Sequence, residues 1–229
     1  MEKTLSKYIH GYHHRDYLPH YKIQGGTYFV TFRLADSLPR VALEKINLEL
    51  KSIEFPESIS ADEQDAVLKK KRHWEIEGFL DRGVGRCWLK HPQIAGLLVD
   101  TFRYFNLERY KLLAWVIMPN HVHVLVKTTR NFSVGTIVKT WKQYASTRAK
   151  KIPGISEIPA GKFWQTESFD HLTRTDDERD RIVNYIHQNP VKAKLCQRPE
   201  EWLWSSAYPV QTDLINPGRL EACATLNAI

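Results

Sequence analysis

Two imidazoles one residue apart, His121 and His123, lie in the stretch Trp115-Val116-Ile117-Met118-Pro119-Asn120-His121-Val122-His123-Val124-Leu125-Val126-Lys127. It contains two apolar, β-branched-rich runs, Leu112 to Met118 and Val122 to Val126, parted by Pro119-Asn120, and reads as two closely joined strands. A side-chain period of two puts His121, His123 and Leu125 on one face and Val122, Val124 and Val126 on the other. Imidazoles side by side on a stiff strand suit two cis ligands of one metal ion. From the tripeptide alone, a pair of solvated or hydrogen-bonded histidines is the usual arrangement.

A nucleophile is sought on the next element. Phe132-Ser133 opens a helix capped by Ser133, with Val134, Ile137, Val138, Trp141 and Ala145 as its apolar stripe. Its polar side carries Lys139, Lys142, Arg148, Lys150 and Lys151, and Pro153-Gly154 ends it. Tyr144 stands at the edge of the stripe beside Lys142 and Arg148. A phenol, with a reference pKa of about 10, attacks poorly unless nearby cations favour the phenolate. Paired with a divalent ion on the two histidines, it has the makings of a transesterification that leaves a phosphotyrosine and needs no ATP. Simple packing is the competing role for Tyr144, since the chain has 10 tyrosines. Lys139, Lys142 and Arg148, with Arg33, are candidate phosphate contacts, and Trp164 or Tyr104 candidate stacking surfaces, for a nucleic-acid strand.

The elements that must position these groups follow from the rest of the chain. Its 229 residues, 42% apolar and 11% aromatic, are enough for one enlarged domain with a real core. No apolar run is long enough for a membrane span, and the N-terminus lacks a signal-peptide core, so a cytoplasmic protein is expected. Cys87, Cys196 and Cys223 form no Cys-x-x-Cys pair, which argues against a zinc ribbon or a disulfide framework. The net charge of +7 favours a polyanionic partner, nucleic acid above all.

Residues 1–20 read as a His-rich, polar arm. Gly25-Gly26 precedes the first strand, Thr27 to Leu34. Residues 39–90 read as an inserted pair of helices, the second from Asp62 to about Leu80 with a cap at Ser60 and the basic run Lys69-Lys70-Lys71-Arg72. This insertion is a candidate DNA-contacting or bracing lobe. A helix after His91-Pro92, the two joined strands, the Ser133 helix and an irregular strand over 163–174 complete the core. A last helix from Asp176 to about Gln188, closed by Asn189-Pro190, begins a C-terminal extension over about 175–229 that ends in a Trp-rich wrap. Without the insertion the order is the split β-α-β-β-α-β unit, so the expected class is α+β, a ferredoxin-like sheet with the histidine strand central.

Met118 to Val126, followed by Trp141-Lys142-Gln143-Tyr144, resembles the single-tyrosine HUH transposases. The fuller resemblance is to their REP-associated branch. It extends through Gly25-Gly26-Thr27-Tyr28-Phe29-Val30-Thr31, Phe163-Trp164-Gln165, Phe169-Asp170-His171, Asn184 to Ala193 and Trp202-Leu203-Trp204-Ser205-Ser206. That resemblance implies His121 and His123 as ligands of magnesium or manganese, and Tyr144 as the residue that joins a 5′-phosphate of hairpin-bearing single-stranded DNA. Members often carry a further ligand, Gln or Asn, one turn beyond the tyrosine. Arg148 stands there instead and cannot coordinate a cation, which leaves Glu167, Asp170, His171, DNA or water to complete the site. A monomer or a homodimer is compatible with the family. The alternative reading is a catalytically weakened nucleic-acid-binding protein on the same fold.

Overall fold

Glycine and β-branched patterning place the first core strand where expected, and the sheet is built around it. The computed structural model describes residues 12–15, 18–21, 23–152 and 162–209. Most of the expected arm, the helix stop at Pro153-Gly154 and the end of the wrap beyond residue 209 lie outside the described residues. Within the arm the backbone forms a hairpin of β1 (Tyr12–Arg15) and β2 (Leu18–Tyr21).

Strands β3 (Thr27–Arg33), β4 (Tyr110–Ile117), β5 (His121–Thr128) and β6 (Phe169–Thr173) form one antiparallel sheet in the order β4-β5-β3-β6. The first and third of these strands are central, which is the ferredoxin-like arrangement expected from the sequence. Thr31 lies opposite His123 and Arg33 opposite His121, so these side chains share one sheet face.

The two faces are covered by different helices. Val122, Val124 and Val126 pack with Tyr28, Val30 and Phe32 against α3 (Pro92–Tyr104) and α4 (Val134–Ala149). Pro92 occupies the first turn of α3, where its missing N–H costs nothing. The α4 stripe of Val134, Ile137, Val138, Trp141 and Ala145 is buried here, and the Trp141 indole N–H donates to Tyr110 Oη at 2.9 Å. On the opposite face, Phe29, Ala114, Val116 and Leu125 pack with Ile186 of α5 (Asp176–Lys192).

The insertion supplies α1 (Arg40–Lys51) and α2 (Ala61–Leu80). Ser60 and Glu63 form a reciprocal capping box at the start of α2. Its buried positions are His73, Glu77 and Leu80, two of them ionisable. A helix that buries a carboxylate without a lysine or arginine partner is held by something other than apolar packing.

Helix α5 runs past the expected stop, through Pro190 to Lys192. Pro190 lies within its last turn, where the proline forfeits a single intrahelical bond. The end is held by the ion pair from Lys192 to Asp81 at 2.7 Å, just beyond α2. The extra turn keeps Asn189 helical, on the same side as Tyr185.

Residues 202–206 run along the free edge of β4. Ile117 N–H donates to Trp204 O at 2.8 Å, Trp202 Nε1 to Ile117 O at 3.0 Å, and Trp115 N–H to Ser206 Oγ at 2.9 Å. The Trp-rich segment thereby satisfies backbone groups that an edge strand would leave open.

Candidate metal and nucleophile site

The period of two on β5 aims both imidazoles at the face covered by α2 and α5. Their Nε2 atoms lie 3.1 Å apart. Glu77 Oε2, from α2, lies 3.1 Å from His123 Nε2. All three residues are fully buried, at 0% exposure. Among the described residues they form a group whose ligand atoms all lie within 4.8 Å of one another.

Hydrogen bonds behind the rings fix which nitrogens face inward. Asn120 Nδ2 donates to Val84 O at 2.9 Å, which turns Asn120 Oδ1 towards His121 Nδ1 at 2.7 Å. That oxygen can only accept, so His121 carries its proton on Nδ1 and presents a lone pair at Nε2. Thr31 Oγ1 meets His123 Nδ1 at 2.8 Å, which leaves His123 Nε2 turned into the same space. Burial, then the neighbouring His123, lowers the His121 pKa to about 3, which keeps the ring neutral. Burial alone would raise the Glu77 carboxyl, but the charge and hydrogen bond of His123 outweigh it and the group is held well below the usual carboxylate range.

Ring nitrogens and a carboxylate oxygen thus converge, while Glu77 Oε1 has no hydrogen-bond partner and His73 Nδ1 stands 3.8 Å from it. A buried carboxylate with one oxygen left unpartnered is costly unless a cation sits beside it. The donor set, two imidazoles and a carboxylate, with both rings oriented from behind, fits a divalent metal ion. Asn120→Ala is therefore expected to weaken manganese binding about 10–100-fold, the usual effect of losing a group that orients a ligand. Calorimetric titration of the variant against wild type checks it, and an unchanged affinity would remove Asn120 from the site.

A tyrosine does reach this group, and it is Tyr185 of α5. Its hydroxyl donates to Glu77 Oε2 at 3.0 Å, and its ring meets His123 at 5.4 Å and Phe29 at 5.8 Å, both edge-on. Asn189, one turn along, is 1% exposed, and neither of its amide atoms makes a full hydrogen bond. Burial first, and then the Glu77 charge, raises the Tyr185 pKa, while the Asn189 amide works against the rise.

The structure does not bring Tyr144 to the histidines. It sits on α4, whose buried stripe covers the opposite face of the sheet, and it is 46% exposed with the Arg148 guanidinium 5.4 Å over its ring. Lys139 and Arg148 are exposed on the same helix. Lys142 Nζ donates to Gln165 O at 2.6 Å and Thr166 O at 2.9 Å, and burial lowers its pKa to about 8. It ties α4 to the following loop. His171 pairs with Glu178 at 2.7 Å, and among the described residues the carboxylate grouped with the two imidazoles is that of Glu77 rather than of Glu167 or Asp170.

Glu77, Tyr185 and Asn189 escaped the sequence reading. The i,i+4 spacing of Tyr185 and Asn189 was a usable signal, because it pairs a phenol with an amide one turn on. Glu77 had none, lying in a charged helix far from the histidines in sequence.

Comparison with known proteins supports the resemblance drawn from the motifs. Residues 101–189 match the family model described as "Transposase IS200 like". A protein of Haemophilus influenzae described as a REP-associated tyrosine transposase is 25% identical over an alignment of 111 residues, with 42% of this chain and 58% of the relative covered. The chain thus spans little more than half the length of that curated relative. Among solved structures, a REP-associated tyrosine transposase bound to a REP hairpin is 17% identical, with 93% of this chain and 89% of the other covered at a TM-score of 0.47. A transposase from Deinococcus radiodurans is 16% identical, with 77% and 96% covered at a TM-score of 0.32. Among the described residues no helix is long and apolar enough to cross a membrane.

Proposed function

With residues 101–189 matching the IS200-like transposases, we propose that this chain is a metal-dependent transposase that cleaves and rejoins hairpin-bearing single-stranded DNA through a covalent 5′-phosphotyrosine on Tyr185. The observation that carries the reading is the convergence of Tyr185 Oη, at 3.0 Å, and His123 Nε2, at 3.1 Å, on one oxygen of Glu77. Tyr185 replaces Tyr144 as the nucleophile because only Tyr185 shares the histidine face.

His121, His123 and Glu77 would hold magnesium or manganese, which supplies charge neutralisation at a scissile phosphate and favours ionisation of a neighbouring phenol. Tyr185 Oη attacks the phosphorus, the new bond joins the phenolic oxygen to the 5′-phosphate, and the bond to the 3′-oxygen breaks. The phenol proton, held in the hydrogen bond to Glu77 before attack, ends on the departing 3′-oxygen, which leaves as the 3′-hydroxyl. A second 3′-hydroxyl then reverses the sequence and releases Tyr185. The phosphodiester energy is conserved in the adduct, so no nucleotide cofactor is needed.

Access to the site requires movement. With His121, His123 and Glu77 all at 0% exposure, a phosphate enters only when α2 and α5 part. The chain contains all the groups named, which supports attack in cis by a monomer, with a homodimer as the alternative. Action on DNA goes with a cytoplasmic protein. The closed site also favours a second reading, a strand-binding protein on the same fold that performs no cutting.

The test is incubation of the full chain with hairpin-containing single-stranded oligonucleotides and manganese, followed by denaturing electrophoresis. A denaturation-resistant DNA adduct that disappears with chelator is expected. Tight, salt-sensitive binding without an adduct would establish the second reading instead.

A further inference from the structure

Helix α2 presents a second feature beside the nucleophile that neither the metal site nor the attack uses. Trp74 is 47% exposed, an unusual state for an indole with so much apolar surface. Its ring is held edge-to-face against Tyr185 at 5.5 Å and 87°, and tilted against His73 at 5.5 Å. The indole is thus braced by the nucleophile's ring while about half of its surface is open to solvent.

The surroundings of that open surface are those of a strand-binding groove. Lys70 and Lys71 precede Trp74 by four and three residues, so all lie on one side of α2. Both lysines are exposed, and among the described residues neither forms an ion pair, whereas Lys69 is tied to Asp65. Gly78, four residues on, leaves open space where a side chain would stand. Two adjacent cations one turn from an exposed aromatic ring, next to bare backbone, suit a nucleic-acid strand with its phosphates on the lysines and a base on the ring.

We propose that Trp74, with Lys70 and Lys71, is the stacking platform for the base next to the scissile phosphate of a single-stranded DNA substrate. The inference rests on the proposed function for the identity of the strand. It makes the insertion a part of substrate recognition, with α2 supplying both a metal-binding carboxylate and a base-binding ring. Trp74 acts as a positioning residue: it places the phosphate before Tyr185 and takes no part in bond making.

The experiment couples a protein change to a DNA change. Binding and adduct formation are measured for wild type, Trp74→Ala and Trp74→Tyr, on hairpin oligonucleotides with an abasic site walked through the unpaired segment. Trp74→Ala is expected to weaken binding about tenfold on intact DNA, in line with one lost base–aromatic stack, and Trp74→Tyr to restore most of it. At one position the abasic site should cost wild type a similar factor and cost Trp74→Ala nothing more. Equal losses for Trp74→Ala at every abasic position would overturn the platform, as would no loss on intact DNA. Wild-type adduct without this coupling defeats the platform but leaves the tyrosine chemistry standing. Coupling in binding with no adduct from wild type supports the platform and defeats the chemistry.

Discussion

Tyr185→Phe is expected to abolish the covalent DNA adduct, with a loss of at least about a thousandfold in adduct yield, because no other group can take the place of a deleted nucleophile. Tyr144→Phe is expected to leave the yield within about twofold of wild type, since a half-exposed surface tyrosine contributes little beyond its own packing. The contrast follows from the two sheet faces. Tyr144 belongs to α4, which packs on Val122, Val124 and Val126, while Tyr185 touches the ring of His123 at 5.4 Å. Phenylalanine keeps the Phe29 and His123 ring contacts of Tyr185, so a folded variant is expected, and loss of the hydroxyl alone decides the outcome. An adduct that survives Tyr185→Phe and vanishes with Tyr144→Phe would show that α4 leaves its place in the fold to reach the histidines.

Glu77→Gln carries the second large effect. The substitution keeps shape but removes the charge, and the new amide N–H can donate to His123 Nε2, 3.1 Å from the present oxygen. Without added metal the variant is expected to unfold within a few degrees of wild type. With manganese at about a hundredfold over its dissociation constant, wild type gains about 2.7 kcal/mol by mass action. For a chain of this length that corresponds to about 5–10 °C in Tm. Glu77→Gln should lose most of this gain, and the adduct yield should fall about a hundredfold or more with it. Thermal unfolding with and without manganese is the check. A full manganese-induced rise in Glu77→Gln would exclude Glu77 from the metal site, whatever happens to the adduct.

These expectations mark how far local pattern reached. Alternation on β5 is a property of a strand of any length, so the shared face of His121 and His123 was readable from Val122 and Val124 between and beyond them. The α4 stripe was readable for the same reason, through its helical period. Ser60 with Glu63 signalled the start of α2 because capping is local chemistry. Asn120, read only as half of a turn, proved to orient His121, and that role depends on Val84 O holding its amide from another segment.

The choice of tyrosine was of another kind. Sequence by itself determined that a helix with Tyr144 follows the histidine strand and that a later helix carries Tyr185 and ends near Asn189-Pro190. Only tertiary structure decided which sheet face each helix covers, and therefore which phenol meets the two imidazoles. It also decided that an inserted helix brings Glu77 into the space between them. The reason is physical: periodicity tells which side of an element is buried, but the partner buried against it depends on long-range packing that no short spacing encodes.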